Sequence, residues 1–397
     1  MITYMEKNIV QTYSNSRNGL FKLRFYGGER MVDNYQLKRI AWVDIFKGIC
    51  ITAMVMGHSG SPYNTLIYMF HMPAFIFISG YTFNGEKYKF NQYLKKKLLT
   101  LILPMFLINI IYILLYVLVQ KIGYYNFVFA SEPLGLLYRI RILFRYLSFT
   151  DLGGATWFLL VLFTIEIIYC ALFKLAARLN IQWLIIPAVI ILSGFGWYII
   201  KGEIMVPSIV QSYLLDLSLY GLIFYFLGHL SKRWDIFNRY IDKNTMTITA
   251  LSITLFFSNF YFKGEIPMNW PTRQFDKYFI HILICVCMFY LCFIVSKIIE
   301  LSKFNAITIW LGRHTLCILM LHFFAFKFVF LFFILFKLYP VSYLKNLTPE
   351  YSPYPVWLVV SVLSIALCSF IAYMSEKNKA LNYIFNGNIT NNRSNID

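Results

Sequence analysis

Residues 39–58 read RIAWVDIFKGICITAMVMGH, apolar enough to cross a bilayer yet carrying Asp44, Lys47 and His58. Ionisable groups inside a membrane span are expensive and mark function by default. Eleven residues separate Lys47 from His58, almost three turns of α-helix, so both side chains leave the same face. Asp44, three residues before Lys47, shares it. An alternative is that Asp44 and Lys47 neutralise each other inside a helix bundle while His58 rests in the membrane interface.

Around this stretch the composition is that of a membrane protein. Of 397 residues, 59% are hydrophobic and only 14% are charged, against about a quarter charged in soluble domains. Helix-length apolar runs recur from end to end, so a separate soluble domain is not expected. The formal charge of +18 invites a nucleic-acid reading, but basic loops facing anionic lipid explain it more simply, and no nucleic-acid partner is expected. The seven cysteines fall in apolar runs, with spacings of neither a disulfide framework nor a zinc site.

The fold class expected is an all-α polytopic membrane protein of about ten transmembrane helices with both termini cytoplasmic. The spans read at about 40–59, 64–83, 98–119, 155–175, 183–200, 214–230, 246–262, 277–296, 313–336 and 356–373. Residues 1–38 form a basic, partly disordered cytoplasmic extension, with Met31 as an alternative start. Residues 39–375 form the membrane domain and 376–397 a cytoplasmic tail. Lys47 and Lys327 are basic residues left within spans.

Several stretches carry more than lipid-facing side chains. NTLIYMFHMPAFIFISGYTF (64–83) places His71 beside Pro73, which strands a backbone carbonyl and kinks the span where a neighbour must satisfy it. LLYRIRILFRYL (136–147) reads as an interfacial amphipathic helix. DLGGATWFLLVLF (151–163) enters a span through two glycines and Trp157, a close backbone approach with an aromatic anchor. WLGRHTLCILMLHFF (310–324) puts His322 two to three turns into the membrane, where a satisfied core histidine is the plainer reading. Glu166 and Asp216, also within spans, need partners, either histidine or another polar group.

Taken together, the basic residue spaced from histidine (Lys47 to His58), FHMPAFIFISGY (70–81), TWFL (156–159) and LGRHTLCILMLH (311–322) resemble acyltransferase family 3. These are bacterial integral-membrane O-acyltransferases that often acetylate surface polysaccharides, some of them similar to fucose 4-O-acetylase. The resemblance runs from Arg39 to about Tyr373. It implies that Lys47 and His58 are the essential basic residue and histidine; Asp44, Pro73, Ser79, Gly80, Trp157 and His322 also match family positions. The family often has Arg where this chain has Lys47, which keeps the charge and loses the bidentate fork.

The resemblance further implies an acyl-CoA donor, most often acetyl-CoA, and an acceptor hydroxyl on a glycan or lipid-linked sugar, in the bacterial cytoplasmic (inner) membrane. On that reading His58 is the general base, with a transient acyl-histidine as the competing route. Lys47 and Arg39 guide the donor, Asp44 balances Lys47, and His71, Ser79, Trp157 and His322 face the substrate. No metal is expected, because the histidines lack carboxylate or thiolate companions at ligand spacing. A transporter or flippase for lipid-linked sugars uses intramembrane charges and broken helices equally naturally, and a glycan polymerase is a further rival, favoured by the many spans and the long outer loop. Lipid-facing and partner-facing apolar surfaces look alike, which leaves homo-oligomers open.

Overall fold

The computed structural model describes residues 40–146, 150–236, 268–275, 277–350 and 355–387, with short pieces at 248–249 and 251–252. The N-terminal extension, Arg39 and most of the span read at 246–262 lie outside these residues.

Helix α1 (Ala41–His58) starts after extended Ile40 and is largely buried. It packs against α2 (Asn64–Tyr81), α11 (Tyr278–Glu300), α12 (Asn305–Arg313), α13 (Thr315–Leu335) and α14 (Val356–Glu376). The approach to α12 is close enough to require glycine: an added Cβ on Gly312 would lie 1.7 Å from the Asp44 carbonyl oxygen. Small residues at helix crossings let backbones meet this way in membrane proteins. The same device joins α2 to α10 (Leu215–Arg233), where Cβ atoms on Gly80 and Gly228 would collide with the carbonyls of Tyr225 and Phe77. Trp42 sets its ring edge-on against Tyr81 and Phe293, at 4.9 and 5.1 Å between centroids.

Among the described residues, seven helices are long and apolar enough to cross a membrane: 41–58, 90–121, 154–178, 182–201, 278–300, 315–335 and 356–376. The chain is therefore a helical, multi-pass membrane protein. α2 has only a shorter apolar run, Ile67–Tyr81, and α10 carries Asp216, Ser218, His229 and Ser231. The third span begins earlier than its apolar run suggests. α3 (Phe90–Lys97) continues through a π-turn at Leu98–Ile102 into α4 (Leu103–Lys121), because Gln92, Leu94 and Lys95 to Lys97 are good helix formers. The span read from Arg313 is broken at His314, whose Nδ1–H donates to the Trp310 carbonyl (2.8 Å) while Nε2 meets Glu376 (3.1 Å). Past α14, Asn378 caps α15 (Lys379–Asn386), and Tyr383 donates to the Leu99 carbonyl at 2.7 Å, so the tail opens with a docked helix.

The amphipathic stretch forms α6 (Leu136–Tyr146), after a short α5 (Tyr125–Val128). Arg139 turns inward, donating to the Tyr125 hydroxyl at 2.6 Å with its guanidinium over the Tyr116 ring. Phe144 stacks on Phe106 of α4, so the helix is held against the bundle. The acids in the bundle pair with cations: Glu166 of α7 (Trp157–Arg178) with Lys97 at 2.7 Å, and Asp216 with Arg273 at 2.5 Å. Arg273 belongs to a small hairpin of β1 (Met268–Asn269) and antiparallel β2 (Gln274–Phe275), the only strands among the described residues.

Candidate active site

His58 ends α1, and the short turn that follows brings Tyr68 of α2 beside it. The Tyr68 hydroxyl lies 3.0 Å from the Gly57 carbonyl and 3.0 Å from His58 Nδ1. A carbonyl only accepts, so the single phenolic proton goes to Gly57 and the bond to histidine runs from Nδ1–H to the tyrosine oxygen. That assignment leaves His58 Nε2 with a free lone pair, the form a base needs.

Two further histidines stand around it. His71 donates Nδ1–H to the Ile67 carbonyl at 2.7 Å, and its ring lies 5.6 Å from that of Tyr68. His322 lies with its ring centroid 5.3 Å from that of His58. Its Nδ1–H donates to the Leu319 carbonyl at 3.0 Å, and its buried Nε2 has no hydrogen-bond partner among the described residues.

A cavity of about 380 Å³ opens at this cluster, bordered by His58, Tyr68, His71, Trp157 and Phe323. Gly154 and Ala155 form another edge, and their segment is fixed from behind by Asn109, whose Nδ2 donates to Thr156 Oγ1 at 3.0 Å. Of the residues singled out in the sequence, His58, His71 and Trp157 thus share one cavity. His322 sits behind His58 without bordering it. Ser79 lies eight residues along α2 from His71, roughly 12 Å of helix rise away, and is also not among the bordering residues.

The remaining wall is the hairpin, which contributes Asn269, Trp270, Pro271 and Thr272. Arg273 anchors it by donating to Asp216 and to the Gln211 carbonyl (2.9 Å), and buried Trp270 packs on Tyr220 and Phe224. No residue of this hairpin stands out in the sequence. The available signal was Asp216, an acid inside a span that required a cation.

At the other end of α1, Asp44 faces two cations, Arg313 Nε at 3.2 Å and Lys47 Nζ at 4.0 Å. Two positive side chains on one carboxylate leave a net positive patch, and Arg313 is 45% exposed, so its remaining donors reach solvent. In the sequence Arg313 marks the start of a span; the close crossing at Gly312 is what delivers it to Asp44. Eleven residues of helix separate this patch from His58, roughly 16 Å. Among the described residues no three His, Cys, Asp or Glu side chains are grouped to hold a metal ion.

The helical bundle thus carries a histidine cavity at one end of a buried helix and a cationic patch at the other. The chain belongs to acyltransferase family 3, whose acyltransferase-domain model matches residues 40–374. Nodulation protein NolL of Mesorhizobium japonicum (strain LMG 29417 / CECT 9101 / MAFF 303099) is 40% identical over 77 residues, 16% of this chain and 21% of that relative. The match therefore spans about a fifth of NolL. No solved structure matches the chain.

Proposed function

We propose that the protein is an O-acyltransferase of the bacterial inner membrane. It moves an acyl group, most simply acetyl, from acyl-CoA to a hydroxyl of a surface polysaccharide or lipid-linked sugar. The observation that carries this reading is the Gly57–Tyr68–His58 chain, which leaves Nε2 unprotonated on a residue that borders the cavity. An alcohol is a weak nucleophile at neutral pH and needs such a base at the moment of attack. His58 Nε2 takes the hydroxyl proton as the oxygen adds to the thioester carbonyl. The tetrahedral intermediate then expels the coenzyme A thiolate, and the proton on His58 passes to that sulfur.

Lys47 and Arg313, with Arg39 preceding them in the chain, supply positive charge suited to the phosphates of coenzyme A. The distance from that patch to His58, roughly 16 Å along α1, suits an extended pantetheine arm. The donor enters from the cytoplasm and the acceptor from the opposite face, in a chain of about ten spans with both termini inside. His71 and Trp157 border the space for the reacting groups, and His322 packs behind His58.

The test is the O-acetyl content of the host's surface glycans, measured by mass spectrometry in a deletion strain. The strain is rescued with the wild-type gene or with His58→Ala at matched protein levels. Loss of one ester that only the wild type restores is the expected result. Restoration by both genes removes His58 from the chemistry, and a deletion that changes no ester moves transport of lipid-linked sugars ahead.

A further inference from the structure

Lys327 lies one turn beyond Phe323 on α13, and its ammonium is directed at main chain. It donates to the Val128 carbonyl at 2.9 Å, where α5 runs into the loop before α6, and to Leu344 (2.7 Å), Lys345 (3.2 Å) and Asn346 (2.9 Å) on the loop before α14. With three N–H groups for four carbonyls, the ammonium is spent as a cross-link between the loops. Those loops enclose a second cavity, about 620 Å³, bordered by Ser131, Asp151, Asn346, Thr348 and Glu350. Its walls mix apolar residues with polar and charged ones, and are richer in the latter than those of the histidine cavity.

The two cavities are neighbours. The segment before α7 gives Asp151 to the polar cavity and Gly154 to the histidine cavity; α13 gives Lys327 to one and Phe323 to the other; Leu347 borders both. Four residues of helix rise about 6 Å, so the polar cavity is stacked on the histidine cavity toward the Leu335 end of α13. The α1–α2 turn supports the same wall: a Cβ on Gly60, two residues after His58, would lie 2.4 Å from the Glu350 carbonyl oxygen. Along the bundle the order runs from Asp44 and Arg313, through His58, to the polar cavity.

We propose that this polar cavity holds the sugar next to the reacting hydroxyl, and that the acceptor is a neutral, hydroxyl-rich saccharide. The inference rests on the acyltransferase reading of His58 and assigns the acceptor its own site within it. Asp151 and Glu350 are acceptors for sugar hydroxyls, and Ser131, Asn346 and Thr348 both give and take hydrogen bonds. Asp151 and Glu350 stand against Lys327 and Lys345, a near-neutral balance that suits an uncharged ligand better than a polyphosphate and contrasts with the net positive patch at Asp44. Donor and acceptor therefore approach His58 from opposite ends and do not compete.

The test uses the full chain in lipid nanodiscs, as wild type, Asp151→Asn and Glu350→Gln. Transfer of radiolabelled acetyl from acetyl-CoA is measured to one defined probe, the polysaccharide fraction isolated from the deletion strain. Loss of a hydrogen bond to a charged group predicts a KM for polysaccharide raised roughly tenfold in each variant. The KM for acetyl-CoA stays within about twofold, which separates acceptor binding from damage to the fold. An unchanged polysaccharide KM in either folded variant overturns the acceptor site and leaves the His58 reading standing. Wild-type protein that transfers nothing to the fraction overturns the acyltransferase reading and this inference with it.

Discussion

The Nε2–H of His281 donates to the carbonyl oxygen of Met69 at 3.1 Å, the acceptor that Pro73 deprives of its helical partner. Cys285 on the next turn of α11 adds a weaker contact from Sγ at 3.5 Å. A proline inside a membrane helix is tolerated where a neighbour takes over the freed carbonyl, and here a side chain 212 residues away in sequence does so. With Nε2 committed, His281 Nδ1 accepts from the Tyr220 hydroxyl, so one imidazole links α2, α10 and α11 behind the cavity.

This arrangement predicts a coupled pair. His281→Ala takes a hydrogen-bond partner from both the Met69 carbonyl and the Tyr220 hydroxyl and should destabilise the protein by about 1–3 kcal/mol. Pro73→Ala restores an N–H to Met69, so the double variant should lose less than the sum of the two, by roughly 0.5–3 kcal/mol. Denaturant unfolding in detergent followed by tryptophan fluorescence reads this directly. Additive losses would show that the proline and the histidine act independently.

Much of this was legible in the sequence, and the reason is periodicity. The spacing of Lys47 and His58 places them on one face of one helix, and Pro73 announces a stranded carbonyl, because both facts are local. What was hidden depends on tertiary approach. His281 lies in YFIHILICVCMF, which reads as uniform apolar helix, and nothing near it signals a partner on α2. Arg313 meets Asp44 only because Gly312 lets two backbones touch. The hairpin at Trp270 is too short for strand periodicity to register. Helix ends were misjudged for a simpler reason: Lys95 to Lys97 extend a helix beyond the apolar run that marks a span.

Tyr68→Phe removes the hydroxyl that fixes the His58 tautomer while keeping the ring. Histidine is then free to carry its proton on Nε2, where it cannot serve as base. The expected result is a fall in kcat on the order of 10²-fold, with the KM for acetyl-CoA little changed. Transfer kinetics on the purified variant check this, and full activity in Tyr68→Phe would remove the tyrosine from the mechanism.

Lys47→Met and Arg313→Met should each raise the KM for acetyl-CoA by roughly tenfold, the effect of losing one charged contact to a phosphate. Because the patch is partly open to solvent, the wild-type KM should also climb with ionic strength, and less steeply in either variant. A salt titration of initial rates separates this from misfolding. Should donor affinity hold and only protein abundance drop, the cluster around Asp44 is structural.

The hairpin offers the last discrimination, because its anchor lies outside the cavity that its tip walls. Asp216 is fully buried and is held by Arg273, itself only partly exposed. Removing one partner of such a pair leaves an uncompensated charge and typically costs about 3–5 kcal/mol, whereas neutralising both is far milder. Arg273→Met alone should therefore lower stability and transfer activity together. Asp216→Asn combined with Arg273→Met should recover much of the stability. If the hairpin merely plugs the bundle, activity returns with stability in the double variant. If its placement shapes the reaction space through Asn269 and Trp270, stability returns and activity stays low, because the neutral pair no longer fixes the tip against α10. We expect the second outcome, read by melting temperature and initial rate on the same preparation.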